Sequence, residues 1–236
     1  MIIEALTNIG AIRENNEDAV FGDVSLGLAA VADGIGGHMA GEIASQTAID
    51  ILASKIKEAA GPVTLDILKE AFFAANHLIY TLGKKDDAKH GMGTTLTVAY
   101  FDDKEIKVVH VGDSRAYLCA KDKAELLTND HSVAGELVKD GNITKEEAAH
   151  HPQRNILTRS LGAETLVKVD EIIKPWYKGD TLLLCSDGLY NQVTDEEMAS
   201  LLKESESLKT ACQKMVDTAL SRGGYDNISV VIARNC

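Results

Sequence analysis

The chain has 236 residues, 45% of them hydrophobic and 25% charged, which is the make-up of a soluble globular protein able to bury a sizeable core. Its 36 acidic residues outnumber 24 basic ones for a formal charge of −12, which argues against nucleic acid or an anionic membrane surface as a partner. No apolar run approaches the roughly eighteen residues of a membrane helix, the start Met1-Ile2-Ile3-Glu4-Ala5 has no basic leader, and Cys119, Cys185, Cys212 and Cys236 are scattered, so free thiols in a cytoplasmic protein are expected.

In chain order, the apolar run Leu28 to Ala32 reads as a strand. A helix is predicted over Glu42 to Ala59, with Ile49, Leu52 and Ile56 on one face. A second follows, with Leu68, Ala71, Phe72, Ala75, Leu78, Ile79 and Leu82 at helical spacing, and Gly61-Pro62 between them suits an antiparallel reversal. Thr95 to Phe101 and Glu105 to Val111 form a predicted hairpin, as do Ala116 to Cys119 and Ala124 to Leu127. Short helical pieces are expected at Glu136 to Asp140 and Thr144 to His150, and strands at Leu166 to Ile173, Thr181 to Cys185 and Ile228 to Ala233. A helix capped by Thr194 with Glu197 and another from Leu208 to Leu220 complete the set, their buried stripes formed by Met198, Leu201, Leu202, Met215 and Ala219. Strands in hairpins and helices in pairs point away from βαβ alternation, toward antiparallel sheets with helix pairs outside them. No linker, repeat or low-complexity tract divides residues 1–236, so one domain is expected.

The chemistry is concentrated in four aspartates at the ends of apolar runs. Asp33 follows Leu28-Ala29-Ala30-Val31-Ala32, Asp113 follows Val108-Val109-His110-Val111-Gly112, Asp187 follows Leu182-Leu183-Leu184-Cys185-Ser186, and Asp226 precedes Asn227 and the run from Ile228. A carboxylate there is costly unless paired, hydrogen-bonded or bound to metal, and oxygen ligands with little basic compensation suit hard divalent cations. Each aspartate taken alone could simply open a turn. Earlier in the chain, Arg13-Glu14-Asn15-Asn16-Glu17-Asp18 offers a guanidinium fork suited to phosphate oxygens and two further carboxylates, or else a solvated polar turn. No Cys-x5-Arg loop, G-x-S-x-G elbow, P-loop or G-x-G-x-x-G motif occurs, which leaves metal-assisted hydrolysis by water.

Together these segments resemble the PPM family, the metal-dependent type-2C protein serine/threonine phosphatases, in their compact bacterial form. The matching pieces run in the family's order: Arg13 to Asp18, Val31 to His38, Gly93-Thr94-Thr95, Val111 to Arg115, Leu127-Thr128 with Asp130-His131-Ser132, Cys185-Ser186-Asp187-Gly188 and Gly224 to Asn227. The resemblance implies an α/β (α+β) fold in four α-β-β-α layers: a central sandwich of two antiparallel sheets flanked by helix pairs, with metals at one end. It implies that Asp33 bridges two Mg²⁺ or Mn²⁺ ions, that the Gly34 carbonyl, Asp187 and Asp226 complete their shells, and that Glu17 and Asp18 act through metal-bound water. Asp113, with Asp187, matches the ligand of a third, weaker ion. Arg13 would grip the phosphoryl group, His38 is the candidate proton donor, and Asn227 would orient Asp226 or a water. His131 is assigned to packing, and His77, His90, His110, His150 and His151 receive no role. Residues 132–162 match a flap beside the site that influences substrate choice. The implied activity is hydrolysis of phosphoserine and phosphothreonine by metal-activated water, in a cytoplasmic monomer acting on phosphorylated proteins and opposing a serine/threonine kinase. A binding-only pseudophosphatase and a phosphatase serving an anti-sigma-factor switch are the alternatives.

Overall fold

A computed structural model describes residues 1–36, 39–86, 89, 91–120 and 123–236. Among the described residues, eleven strands and seven helices follow one another as β1 (Ile2–Asn8), β2 (Asp18–Asp23), β3 (Leu28–Ile35), α1 (Ala40–Glu58), α2 (Leu65–Lys85), β4 (Gly93–Thr94), β5 (Leu96–Phe101), β6 (Glu105–Val111), β7 (Arg115–Ala120), β8 (Lys123–Leu126), α3 (Val133–Lys139), α4 (Lys145–Ala149), β9 (Asp170–Pro175), β10 (Thr181–Cys185), α5 (Asp187–Tyr190), α6 (Asp195–Glu204), α7 (Leu208–Ser221) and β11 (Ile228–Arg234). One sheet has the order β1-β11-β10-β7-β8, and the other β2-β3-β5-β6-β9 with β4 added beside β3. Every pairing is antiparallel.

Three apolar cores show why the central strands read as unbroken apolar runs. On β11, Val231 and Ala233 point between the sheets, while Val230 and Ile232 point outward against α6 and α7. The same alternation places Leu182 and Leu184 of β10 between the sheets and Leu183 and Cys185 outside. On β3, Ala29 and Val31 face the inter-sheet core, and Leu28, Ala30 and Ala32 face α1 and α2. Period-two side chains meet an apolar layer on both faces, so neither face is free to be polar. Both sheets packed face to face, with α1–α2 on one outer face and α5–α7 on the other, make the four layers.

Some expectations need correction. The strand expected over Leu166 to Ile173 begins only at Asp170, and Leu166 itself is 84% exposed. Leu78, placed on the apolar face of α2, is 37% exposed, whereas Leu68, Ala71, Phe72, Ala75 and Ile79 are buried. Three strands are not legible in the sequence: β1 and β2 are edge strands that mix polar and apolar residues, so no clean alternation marks them, and β4 is only two residues long. Asp33 is also not a strand end. β3 runs on to Ile35, because Gly34 and Ile35 pair with Thr94 and Gly93 of β4.

Candidate active site

The site lies where β2, β3, β6, β10 and β11 leave the sandwich. Asp18 opens β2 directly opposite Asp33 on β3. Two carboxylates on facing positions of an antiparallel pair repel, and the surroundings show how each is held. Asp18 is 8% exposed; Ser186 donates its hydroxyl to Asp18 Oδ2 at 2.7 Å, while the neighbouring Ser229 hydroxyl donates to Thr7 Oγ1 at 2.7 Å. Asp33 is fixed through its backbone: its N–H donates to Thr95 Oγ1 at 2.8 Å, and its carbonyl accepts from Thr94 Oγ1 and Thr95 N–H, both at 2.9 Å. The Gly93-Thr94-Thr95 segment thus acts as the mount for Asp33.

Gly34 follows, its N–H donating to the Glu17 carbonyl at 3.1 Å. Its backbone packs so closely against Gly41 and that carbonyl that a Cβ would collide with both, so glycine is required for contact and not for an unusual φ. The Glu17 carbonyl also accepts from Ser45 Oγ at 2.6 Å, and the Glu17 N–H donates to Asn227 Oδ1 at 2.8 Å. The Asn227 amide donates to the carbonyls of Ile9 and Asn15, both at 2.9 Å. Asn227 therefore ties the 9–17 segment to β11, and only its backbone N–H reaches Asp226, at 2.8 Å from Oδ1.

Asp113 leaves β6 through Gly112, whose φ of +107° places it in the left-handed region. A Cβ there would strike Thr95. His131 grips the same residue twice: its N–H donates to the Gly112 carbonyl at 2.8 Å, and its Nδ1 accepts from the Gly112 N–H at 3.2 Å. Asp187 opens α5, with the Asn191 amide donating to its Oδ2 at 3.2 Å. Asp226 is paired with Arg13 at 2.8 Å, their side chains 35% and 51% exposed. His38 lies outside the described residues.

Electrostatics register the convergence. Burial pushes Asp33 well above the ordinary carboxylate range, and Asp18, Asp187, Asp113 and Asp226 push it further. Burial lifts Asp18 to about 7, against the opposing pull of Ser229 and Ser186. Asp187 rises to about 6 through burial and then Asp226, opposed by Arg13 and Arg115. Asp113 is raised well above its usual value by burial, Asp187 and Asp130, and Glu17 is raised by burial against the pull of Arg13. The Arg13 guanidinium is held charged chiefly by its hydrogen bond to Asp226. Arg115 relieves Asp113 and Asp187 only through space, because its guanidinium is engaged elsewhere: it forms a two-pronged pair with Asp130 at 3.0 and 2.7 Å and stacks 3.7 Å over the Tyr190 ring.

The donor set fits hard divalent cations: carboxylate and carbonyl oxygens, with no thiol or imidazole among them. Among the described residues no three acidic, His or Cys side chains close on a single coordination point. Such an open set suits Mg²⁺-like ions, which take one or two carboxylates each and keep several waters. Ser186 and Ser229 were not singled out beforehand. Ser229 carries a visible signal, a lone hydroxyl inside the buried run Ile228-Ser229-Val230 of β11.

Comparisons with known proteins give the family of the chain. The family model described as "Protein phosphatase 2C" matches residues 6–137 and 169–228. The chain is 40% identical over 239 residues to the serine/threonine phosphatase stp of Listeria innocua, covering 98% of this chain and 95% of that one. The crystal structure of the Mycobacterium tuberculosis serine/threonine phosphatase PstP/Ppp superposes with a TM-score of 0.92 at 37% identity, covering 99% of this chain and 97% of that one. The catalytic domain of PstP in complex with two manganese ions gives a TM-score of 0.90 at 36% identity, covering 99% and 97%. The chain belongs to the protein phosphatase 2C family.

Proposed function

We propose that the chain is a divalent-metal-dependent protein phosphatase that removes phosphate from phosphoserine and phosphothreonine in proteins, opposing a serine/threonine kinase. The observation that carries this reading is the meeting of Asp18, Asp33, Asp113, Asp187 and Asp226 at one end of the sandwich, with Arg13 at their rim. Two Mg²⁺ or Mn²⁺ ions would be held by Asp33, the Gly34 carbonyl, Asp187 and Asp226, with Glu17 and Asp18 acting through water and Asp113 with Asp187 holding a third. When bound, such ions supply Lewis acidity and make water a competent nucleophile near neutral pH.

The chain's own residues do the rest. Arg13, half exposed, can turn its fork from Asp226 to phosphoryl oxygens and absorb charge developing there. Ser186, itself held by the Ser229 N–H, keeps Asp18 in place, and Thr94 and Thr95 do the same for Asp33. Residues 1–236 act as one catalytic unit, with 132–162 as its flap. Every carboxylate of the set is present, so the binding-only alternative has no support.

The test is hydrolysis of p-nitrophenyl phosphate and a phosphothreonine peptide with EDTA, Mg²⁺ or Mn²⁺, in the native chain and in Asp226→Ala. Turnover should require metal. The variant should stay folded, since the packing there comes from Ile228, Val230 and Ile232, and should lose at least about a hundredfold in activity. Metal-independent turnover, or a nearly normal variant, would overturn the assignment.

A further inference from the structure

A cavity of about 590 Å³ lies between the flap helices α3 and α4, the 126–130 segment and the start of α6. That volume falls within the roughly 300–1,000 Å³ of ordinary ligand pockets. Its inner wall is shared with the carboxylate cluster. Asn191, which lines it, donates to Asp187, and Asp130, which also lines it, acts electrostatically on both Asp113 and Asp187.

The charges lining this cavity run against those of the whole molecule. Arg115 and Asp130 satisfy each other. The remaining cations are Lys139, Lys145 and Arg154, none of which forms an ion pair among the described residues, and they face one lining carboxylate, Asp195. Lys139, in the last turn of α3, is favoured there by the helix dipole, and any one of the three could be an ordinary solvated side chain. Three cations without an ion pair around one cavity, of which only Lys145 acts on a neighbouring carboxylate (Glu146, outside the lining), in a chain of formal charge −12 and one residue away from an acidic centre, call for an anionic occupant.

We propose that this cavity is a substrate subsite for a second anionic group, a phosphorylated or acidic side chain near the residue being dephosphorylated, held by Lys139, Lys145 and Arg154. The proposal rests on the phosphatase reading above. The subsite would select segments carrying clustered phosphates or an acidic flank over otherwise equal neutral ones, and it would draw them toward a centre whose own field is negative.

The experiment uses the full chain with Mn²⁺ and a series of phosphothreonine peptides. A second phosphothreonine, a glutamate or an alanine is placed about two to six residues to either side, roughly 7–20 Å of extended chain. At low salt, kcat/KM should be about threefold higher for at least one peptide with the added negative charge than for its alanine counterpart. The advantage should shrink as salt shortens the screening length. In the triple variant K139A/K145A/R154A it should vanish, while p-nitrophenyl phosphate turnover stays at the native level because that substrate is too small to reach the cavity. A gain with phosphothreonine alone assigns the subsite to phosphate, and a gain with glutamate as well assigns it to negative charge in general. No preference in the native chain, or one that survives in the triple variant, would overturn the subsite. Absence of p-nitrophenyl phosphate hydrolysis would instead strike the catalytic reading. Fluorescence anisotropy of the labelled doubly phosphorylated peptide, native chain against triple variant, then decides the cavity separately, with equal binding rejecting it.

Discussion

Ser186 shows how much of the site depends on residues that carry no charge. Its hydroxyl donates to Asp18 Oδ2 at 2.7 Å and accepts from the Ser229 N–H at 3.1 Å, and it is fully buried. Ser186→Ala leaves a buried carboxylate one donor short and a buried N–H without its acceptor. A loss of about 1–3 kcal/mol follows, together with weaker metal binding, since Asp18 is then less firmly held. Urea unfolding and calorimetric metal titration check this, and a change under about 0.5 kcal/mol with unaltered metal affinity would show that the hydroxyl does not matter. The carboxylates themselves were legible because an aspartate at the end of an apolar run is chemically conspicuous. The serines were not, because a hydroxyl beside an aspartate has many inexpensive explanations until its partner is known.

At the scale of elements, local signals told most where the chain closes its own hydrogen bonds nearby. Thr194 and Glu197 were read as a cap, and α6 begins with the full reciprocal box: Glu197 N–H to Thr194 Oγ1 at 3.3 Å and Thr194 N–H to Glu197 Oε2 at 3.0 Å. Arg222 adds a two-pronged contact to Glu197 at 2.7 and 2.6 Å, and that hydrogen bonding holds the Glu197 carboxyl down at about 2. Thr194→Ala should cost about 1 kcal/mol in unfolding experiments and leave metal affinity unchanged, because α6 packs on β8 and α7 and supplies no carboxylate to the metal cluster. A shift in metal affinity would mean that α6 reaches the site after all. Where the closing hydrogen bonds come from far away, the signal failed. β1 needs β11 as its partner, and Ile2 pairs with Arg234. The short α5 was not foreseen either, although it is what turns Asp187 toward its neighbours.

For the whole molecule, pH stability should carry the mark of one buried histidine. His110 is 0% exposed on β6, with Nδ1 at 2.9 Å from Thr97 Oγ1, Nε2 at 3.1 Å from the Asn129 carbonyl and the His131 ring 4.8 Å away. Burial, then His131, pushes it from 6.5 down to about 4, against the opposing pull of the Asn129 hydrogen bond, Asp130 and Asp170. Between those values the unfolded chain binds the proton that the folded chain refuses, so this contribution to stability is intact above about pH 6.5 and is lost as pH falls toward 4. Relative to His110→Gln, the native chain should lose about 3 kcal/mol across that window, measured by urea unfolding at a series of pH values. A pH-independent difference between the two would show that His110 does not titrate this way.

By itself the sequence determined the kinds of most elements, the helix pairs outside antiparallel sheets and the acidic chemistry of the site. Hydrophobic periodicity, caps and aspartates beside apolar runs are written in residues a few positions apart, where local geometry translates directly into pattern. The tertiary structure alone decided which distant pieces face each other: Asp18 across from Asp33, Ser186 and Ser229 around Asp18, Asn227 tying the 9–17 segment to β11, and Lys139, Lys145 and Arg154 around one cavity. These depend on strand register and on how sheets and helices pack. Only the assembled core fixes those, because their partners lie tens to hundreds of residues apart and leave no periodic trace in the chain.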